Sequence, residues 1–309
     1  MHKILITGGS GTVGSAFLRR YSGVYQFGIV SRNEKLQYEI KKDFPDVSLF
    51  LGSVEDRESL FRVFDAFHPD VVIHAAAMKH VDMAERQPIQ TTRINVVGSL
   101  NVIDASIRFD VPITIAISTD KACEHQNIYG VSKFLMEQCF LEANSKEHKF
   151  AVCRFGNVAH SNGSVIPFWL KLKQEGKPLR LTCPEMNRLM FLPKEAAELI
   201  YRAIEECSID GGFILSKMMK TVNMLRLAKS ISGDIEIVGS RPGEKIDEDL
   251  ISDKELPYSE VVERKYIKIW RAINSVVSSR LPCPYSTLTA EVMTDEELSL
   301  LINGGPNAA

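Results

Sequence analysis

The sequence predicts an α/β fold, a doubly wound parallel sheet with a smaller C-terminal lobe. Short apolar runs alternate with longer helical patterns through the first half of the chain, the signature of a sheet covered by helices on both faces. A glycine-rich turn sits between the first run and the first helix, and beyond Asn157 the chain breaks into short pieces punctuated by proline and glycine.

In order, Lys3–Thr7 reads as a strand and Val13–Tyr21 as the helix that follows. Tyr25–Val30 pairs with a helix over Lys35–Lys42, Val47–Leu51 with one over Arg57–Phe67, and Val71–Ala76 with a long helix over Gln90–Ile107. Ile113–Ser118, a helix over Tyr129–Asn144 and Phe150–Phe155 complete about six strands, the number a doubly wound sheet needs. A helix over Lys194–Glu206 and a strand over Gly212–Ser216 return to the same pattern. The expected division is a dinucleotide-binding domain over 1–160, rejoined by 190–216. A substrate-binding lobe takes 161–189 and 217–302, and 303–309 form a disordered tail.

Composition narrows the function classes. The 309 residues are 25% charged and 45% hydrophobic, the proportions of a globular enzyme. With 37 Lys and Arg against 39 Asp and Glu, and no block of like charge, the chain has no electrostatic footprint for nucleic acid or anionic lipid. The longest stretch without a charged residue, Phe155–Leu170, contains Asn157, His160, Gly163 and Pro167, too polar and too short to span a bilayer. Six cysteines without a CxxC pair indicate neither a disulfide framework nor a zinc site, so the expectation is a reduced, cytoplasmic protein without a metal.

The turn Gly8-Gly9-Ser10-Gly11-Thr12-Val13-Gly14 opens the first helix. Glycines there permit a tight turn and let backbone N–H groups and the helix N-terminus approach a pyrophosphate. The second strand ends in Ser31-Arg32, where a hydroxyl and a guanidinium suit an adenosine 2′-phosphate and favour NADP. The other reading leaves Arg32 in solvent and uses Glu34 as an acid for the 2′-hydroxyl of NAD.

Tyr129 and Lys133 stand at i and i+4 on one helix face. A neighbouring ammonium is expected to lower the tyrosine pKa, so that the phenol can take a proton from a hydroxyl during oxidation at the same carbon. Upstream, a strand ends in Thr119-Asp120-Lys121, placing a hydroxyl, an acid and an amine where α/β enzymes keep their chemistry.

With the glycine loop, His74-Ala75-Ala76-Ala77, Asn95, and the Tyr129/Lys133 pair, the chain resembles the extended short-chain dehydrogenase/reductases. More narrowly it is similar to the inverting UDP-N-acetylglucosamine 4,6-dehydratases of flagellin-glycan and capsule synthesis. The segments that carry this are Ala77-Met78-Lys79-His80-Val81, Ser118-Thr119-Asp120-Lys121-Ala122, Arg154-Phe155-Gly156-Asn157-Val158, Gly163-Ser164-Val165-Ile166-Pro167-Phe168 and Arg241-Pro242-Gly243-Glu244-Lys245. The resemblance implies that Tyr129, supported by Lys133 and Thr119, oxidises C4 of the sugar. Lys121 then removes the C5 proton, for which its pKa has to be depressed, and Asp120 protonates the leaving C6 hydroxyl. It further implies that Ser53, Val54, Ala75, Ala76, Ala77, Lys79 and Asn95 join the glycine loop around a resident NADP. Lys79, His80, Asn157, Ser164, Val165, Arg241 and Glu244 would hold a UDP-sugar, and the chain would pair with copies of itself through the helices around Gln90–Ile107 and Tyr129–Asn144. Asn187-Arg188-Leu189-Met190 departs from the family's Thr-Arg-Phe-Trp, which leaves the exact sugar and the C5 configuration open. A nucleotide-sugar 4-epimerase shares Tyr129 and Lys133 but has no use for Asp120-Lys121, and a non-catalytic NADP sensor needs none of the four.

Overall fold

The computed structural model describes residues 2–241, 243–271 and 279–305. Strand β1 (Lys3–Thr7) passes through the glycine turn into α1 (Thr12–Tyr21), and the unit repeats as β2 (Gln26–Ser31) with α2 (Glu34–Asp43) and β3 (Ser48–Leu51) with α3 (Arg57–Phe67). The starts of α2 and α3 are set by Asn33 and Asp56, whose side chains accept from the backbone N–H groups of Leu36 and Ser59. After β4 (Val71–His74) comes α4 (Val81–Arg86), which was not expected, and the stretch expected as one helix over Gln90–Ile107 is divided among α5 (Pro88–Thr92), a π turn (Arg93–Val97) and α6 (Gly98–Arg108). The wide turn accompanies Asn95, whose amide accepts from Met78 N at 2.8 Å and donates to Met78 O at 3.0 Å and Ser132 Oγ at 2.9 Å.

Strand β5 (Ile113–Thr119) runs into a single 3₁₀ turn (Asp120–Ala122), followed by α7 (Ile128–Ala143) and β6 (Lys149–Phe155). The rest of the chain comprises β7 (Asn157–Val158), α8 (Val165–Gln174), β8 (Leu179–Leu181), β9 (Asn187–Phe191), α9 (Pro193–Ile209), β10 (Phe213–Lys217), β11 (Lys220–Asn223), α10 (Met224–Ile231) and β12 (Ile235–Ile237). It closes with β13 (Asp249–Ile251), β14 (Ser259–Val262), β15 (Tyr266–Trp270), β16 (Tyr285–Ser286) and α11 (Asp295–Asn303).

Nine strands form the main sheet in the order β14-β15-β10-β6-β5-β4-β1-β2-β3. From β3 to β10 every pairing is parallel, and the order reverses between β1 and β4, which places a crevice at the strands' C-terminal ends. The fold is therefore the α/β doubly wound sheet that the alternation predicts. Two assignments need correction. Strands β14 and β15, inside the stretch assigned to the substrate lobe, pair antiparallel and extend the main sheet beyond β10. Their periodicity, Tyr266 to Trp270 buried nearly throughout, is that of a strand packed on a core, yet no helix precedes them to mark a βαβ unit. Asn303, assigned to a tail over 303–309, is instead the last residue of α11, and 306–309 lie outside the described residues.

The small lobe has its own core, with Ile166, Trp169, Leu179, Leu181, Leu227 and Leu298 all under 2% exposed. Its anchor to the large sheet is the three-stranded β11-β9-β7 sheet, in which β7 follows directly from β6. No helix of the described residues is long and apolar enough to cross a membrane.

Candidate active site

A cleft of about 730 Å³ opens at the C-terminal ends of the parallel strands. One end is lined by Gly8, Ser10, Gly11, Thr12, Val13 and Gly14, with Ser31, Arg32, Ser53, Val54, Ala75, Ala76 and Ala77 around it. Gly8 has φ +69°, and a Cβ there would lie 2.7 Å from the backbone of Ala76; one on Gly14 would lie 2.5 Å from Gly9 Cα. Only glycine keeps the turn pressed this closely against the loop after β4 and against itself. Ser31 is held by Gln37, whose amide donates to its Oγ at 3.0 Å, while Arg32 stays exposed at the rim. Asn33 turns back to cap α2, and Glu34 does not reach the cleft.

The cations Arg32, Lys79, Lys121 and Lys133 line the cleft, and no Asp or Glu is among its lining residues. A cavity with that donor set and a glycine cradle fits phosphate anions. Lys79 and His80 stand at its edge, and the loop carrying Gly163 passes against the His80 ring. Two further lining residues, Ser161 and Asn162, were not among the expected site residues, although Asn162 stands where a basic residue is common in the family; its N donates to Thr12 Oγ1 at 3.0 Å and ties the small lobe to the glycine loop.

Thr119, Lys121, Tyr129 and Lys133 line the other end. The tyrosine reaches this position because Gly130 lets α7 begin directly on the 3₁₀ turn: a Cβ at Gly130 would collide with the Lys121 carbonyl oxygen. Asn127 caps the helix through Gly130 N at 2.8 Å. Contrary to expectation the phenol is not acidified. Burial pushes Tyr129 up, Lys121 and a hydrogen bond with Thr119 offset this only in part, and the result is about 12. Lys133 moves the other way, brought down to about 8 by burial despite the charge of Glu137.

Asp120 is fully buried beneath the cleft floor. Its Oδ1 accepts from Thr119 Oγ1 at 2.9 Å and from Lys121 Nζ at 3.0 Å, while its Oδ2 has no partner. The depressed Lys121 that the resemblance requires is not found. Burial acts downward, but Asp120 and Glu248, whose Oε1 lies 3.3 Å from Nζ, together hold the ammonium above its usual range.

On the substrate side Asn157 lines the cleft, whereas Ser164, Val165, Arg241 and Glu244 do not, and Asn95, expected around the cofactor, is not among the lining residues either. Asn95 is consumed by the backbone of Met78 and acts as a brace. Ser164 begins α8 with an unpartnered buried Oγ. Glu244 accepts from Arg241 N at 3.0 Å, closing a turn whose proline, Pro242, lies outside the described residues. Arg188 is buried and donates to the carbonyls of Asn187, Lys245 and Ile246, so it fastens this turn to β9.

The same arrangement extends to known chains. A family model described as polysaccharide biosynthesis protein matches residues 4–269. The chain belongs to this family. Among its relatives, an inverting UDP-N-acetylglucosamine 4,6-dehydratase of Campylobacter jejuni is 37% identical over 82% of this chain and 79% of its own. A UDP-glucose 4-epimerase of Rickettsia massiliae is 33% identical over 86% and 82%. Among solved structures, Pen from Bacillus thuringiensis superposes with a TM-score of 0.89 at 27% identity, covering 97% of both chains. The similarity to the 4,6-dehydratases that the motifs carry thus runs through most of the family member described here.

Proposed function

We propose that this chain is an NADP-dependent 4,6-dehydratase acting on a UDP-N-acetylhexosamine, UDP-N-acetylglucosamine in the first instance, and yielding a 4-keto-6-deoxy nucleotide sugar. The observation that carries the reading is the Asp120–Lys121 pair, bonded at 3.0 Å at the end of β5 and one turn from Tyr129. A redox reaction or epimerisation at C4 needs only the tyrosine and Lys133; removing C5–H and the C6 hydroxyl needs a further base and acid.

Gly8, Gly11 and Gly14 would hold the pyrophosphate, and Ser31 with Arg32 a 2′-phosphate. The absence of a carboxylate among the lining residues at the end of β2 is what favours NADP over NAD. When bound, the dinucleotide supplies a reversible two-electron acceptor, so each turnover leaves it unchanged. Tyr129 takes the proton of the C4 hydroxyl. Lys121 takes the C5 proton once the C4 ketone has acidified it. Asp120 gives a proton to the departing C6 oxygen, and its unpartnered Oδ2 is where that proton would be held. Ser164, with its free hydroxyl at the start of α8, and Asn157 would serve the diphosphate, and Arg241 and Glu244 the uridine end. Six free cysteines accord with a reducing compartment, and the cytoplasm is the location we assign.

The test is incubation with UDP-N-acetylglucosamine in deuterated water. The expected product is a 4-keto-6-deoxy sugar nucleotide with deuterium at C5, and Lys121→Ala should lower its rate about 10²–10⁴-fold. Recovery of UDP-N-acetylgalactosamine alone would transfer the assignment to an epimerase, the activity in the name of the Rickettsia relative.

A further inference from the structure

The base assigned to Lys121 poses a chemical problem: an ammonium held by carboxylates cannot accept a proton until it has lost one. Two carboxylates are in reach. Asp120 is bonded to it at 3.0 Å, and Glu248 lies 3.3 Å away. Glu248 is 2% exposed and belongs to the segment between the Arg241–Lys245 turn and β13. Its backbone is fixed on both sides by Thr287, whose Oγ1 accepts from Glu248 N at 3.2 Å and whose N–H donates to Glu248 O at 3.0 Å. Its side chain is not fixed in this way. Oε1 faces Lys121 and, at 4.0 Å, Arg188, whose Nη1 and Nη2 donate to backbone carbonyls, and Oε2 has no hydrogen-bond partner.

A buried carboxylate oxygen without a donor costs on the order of 1–3 kcal/mol or more, and a proton on the carboxyl removes much of that cost. We propose that Glu248 is the proton acceptor that arms Lys121. An Nζ–H bond of the ammonium breaks as an O–H bond forms on the Glu248 carboxyl, giving a neutral amine beside a neutral acid. The amine then takes the C5 proton, and the ammonium is restored. C5 later takes a proton back from the site, Glu248 returns its own to the Lys121 amine, the C6 oxygen leaves as water, and the proton that Tyr129 took from the C4 hydroxyl replaces the one Asp120 gave, so the cycle closes. Asp120, with its unpartnered Oδ2, is left to serve the C6 oxygen as acid, which separates the two proton tasks between two carboxylates. Around this pair stand Asp120 on the 3₁₀ turn, Tyr129 on α7, Arg188 on β9 and Lys245 on the preceding turn; their charges are common to wild type and variant.

This inference rests on the dehydratase reading, with Lys121 as base. The decisive measurement is the pH dependence of kcat for dehydration of UDP-N-acetylglucosamine in wild type, Glu248→Gln and Glu248→Asp. In Glu248→Gln, Lys121 has to surrender its proton to water. KM should stay within about twofold, kcat should fall about 100-fold near neutrality, and it should recover about tenfold per pH unit as pH rises. A fall of the same size at every pH would make Glu248 a packing residue and overturn the inference, as would unchanged kcat. Should Glu248→Gln not fold, Glu248→Asp gives the same reading, with a displaced acidic limb expected and a superimposable profile overturning the inference. Loss of elimination in Lys121→Ala alongside unchanged Glu248→Gln refutes this step alone, whereas full activity in Lys121→Ala refutes the reading beneath it.

Discussion

Arg32 and Glu34 stand two residues apart and would select different dinucleotides, and the fold decides between them by direction. Glu34 enters the first turn of α2 and leaves the cleft, while Arg32 remains on its rim. A charged hydrogen bond contributes about 1.5–3 kcal/mol, less at an exposed position. Arg32→Ala should therefore raise the Kd for NADP about tenfold and leave that for NAD within about twofold, as read by titration of the apo-protein; equal weakening of both would return Glu34 to consideration. At this scale the sequence was legible wherever chemistry is local. The glycine loop, Tyr129 with Lys133, and Thr119-Asp120-Lys121 are contiguous patterns with one structural meaning each. The place of Glu248 and the tie of Asn162 to Thr12 were illegible because each depends on another part of the fold, β13's approach to the 3₁₀ turn or the crossing of the small lobe over the glycine loop. The direction of the Tyr129 shift was illegible because burial outweighs the cations around it, whereas Lys121 is held up against its burial first by Asp120, its neighbour in sequence, and then by Glu248.

Among elements, the parallel strands were legible because each is a short apolar run preceding an amphipathic helix, and β14 and β15 were not, because an antiparallel edge has no crossover helix to announce it. What locks the central elements together is a polar thread. His74, the last residue of β4, is hydrogen-bonded to Thr7 of β1 at 2.7 Å and to Ser99 of α6 at 3.0 Å, and its ring stacks on Phe140 of α7. Burial, with the charge of Lys133 assisting, brings its pKa from 6.5 to about 3. As pH falls below 6.5 the unfolded chain takes up a proton at this position and the folded chain does not, so stability declines with acidification down to about pH 3. Between pH 7 and pH 5 that amounts to about 2 kcal/mol. His74→Asn should cost stability at pH 7 through lost packing but lose about 2 kcal/mol less than wild type over this interval in urea unfolding; parallel losses would show that His74 does not set the acid limit.

On the scale of the whole molecule, a formal charge of −2 coexists with a cleft lined by Arg32, Lys79, Lys121 and Lys133, so the affinity for anions is concentrated at one crevice and the remaining surface has no excess of positive charge to attract them. That surface also carries a localised apolar feature. Ile89 of α5, Val97 of the π turn, Leu100 and Ile107 of α6, and Val131 and Leu135 of α7 are each more than a third exposed. Their spacing, 97-100-107 and 131-135, keeps them on one stripe of each helix, and α6 packs beside α7. An apolar face on two adjacent helices is what a two-fold, isologous contact with a second copy would cover. Because α7 begins with Tyr129 and Lys133 on its inner face, such a contact would also stiffen the helix that carries them. We expect the protein to sediment as a dimer or larger assembly. A Leu100→Glu/Leu135→Glu double variant places like charges across the contact and should sediment as a monomer, with its Tm lowered by several degrees and dependent on protein concentration in the wild type only. A wild-type monomer across the micromolar range would refute this contact and leave the two stripes without a partner.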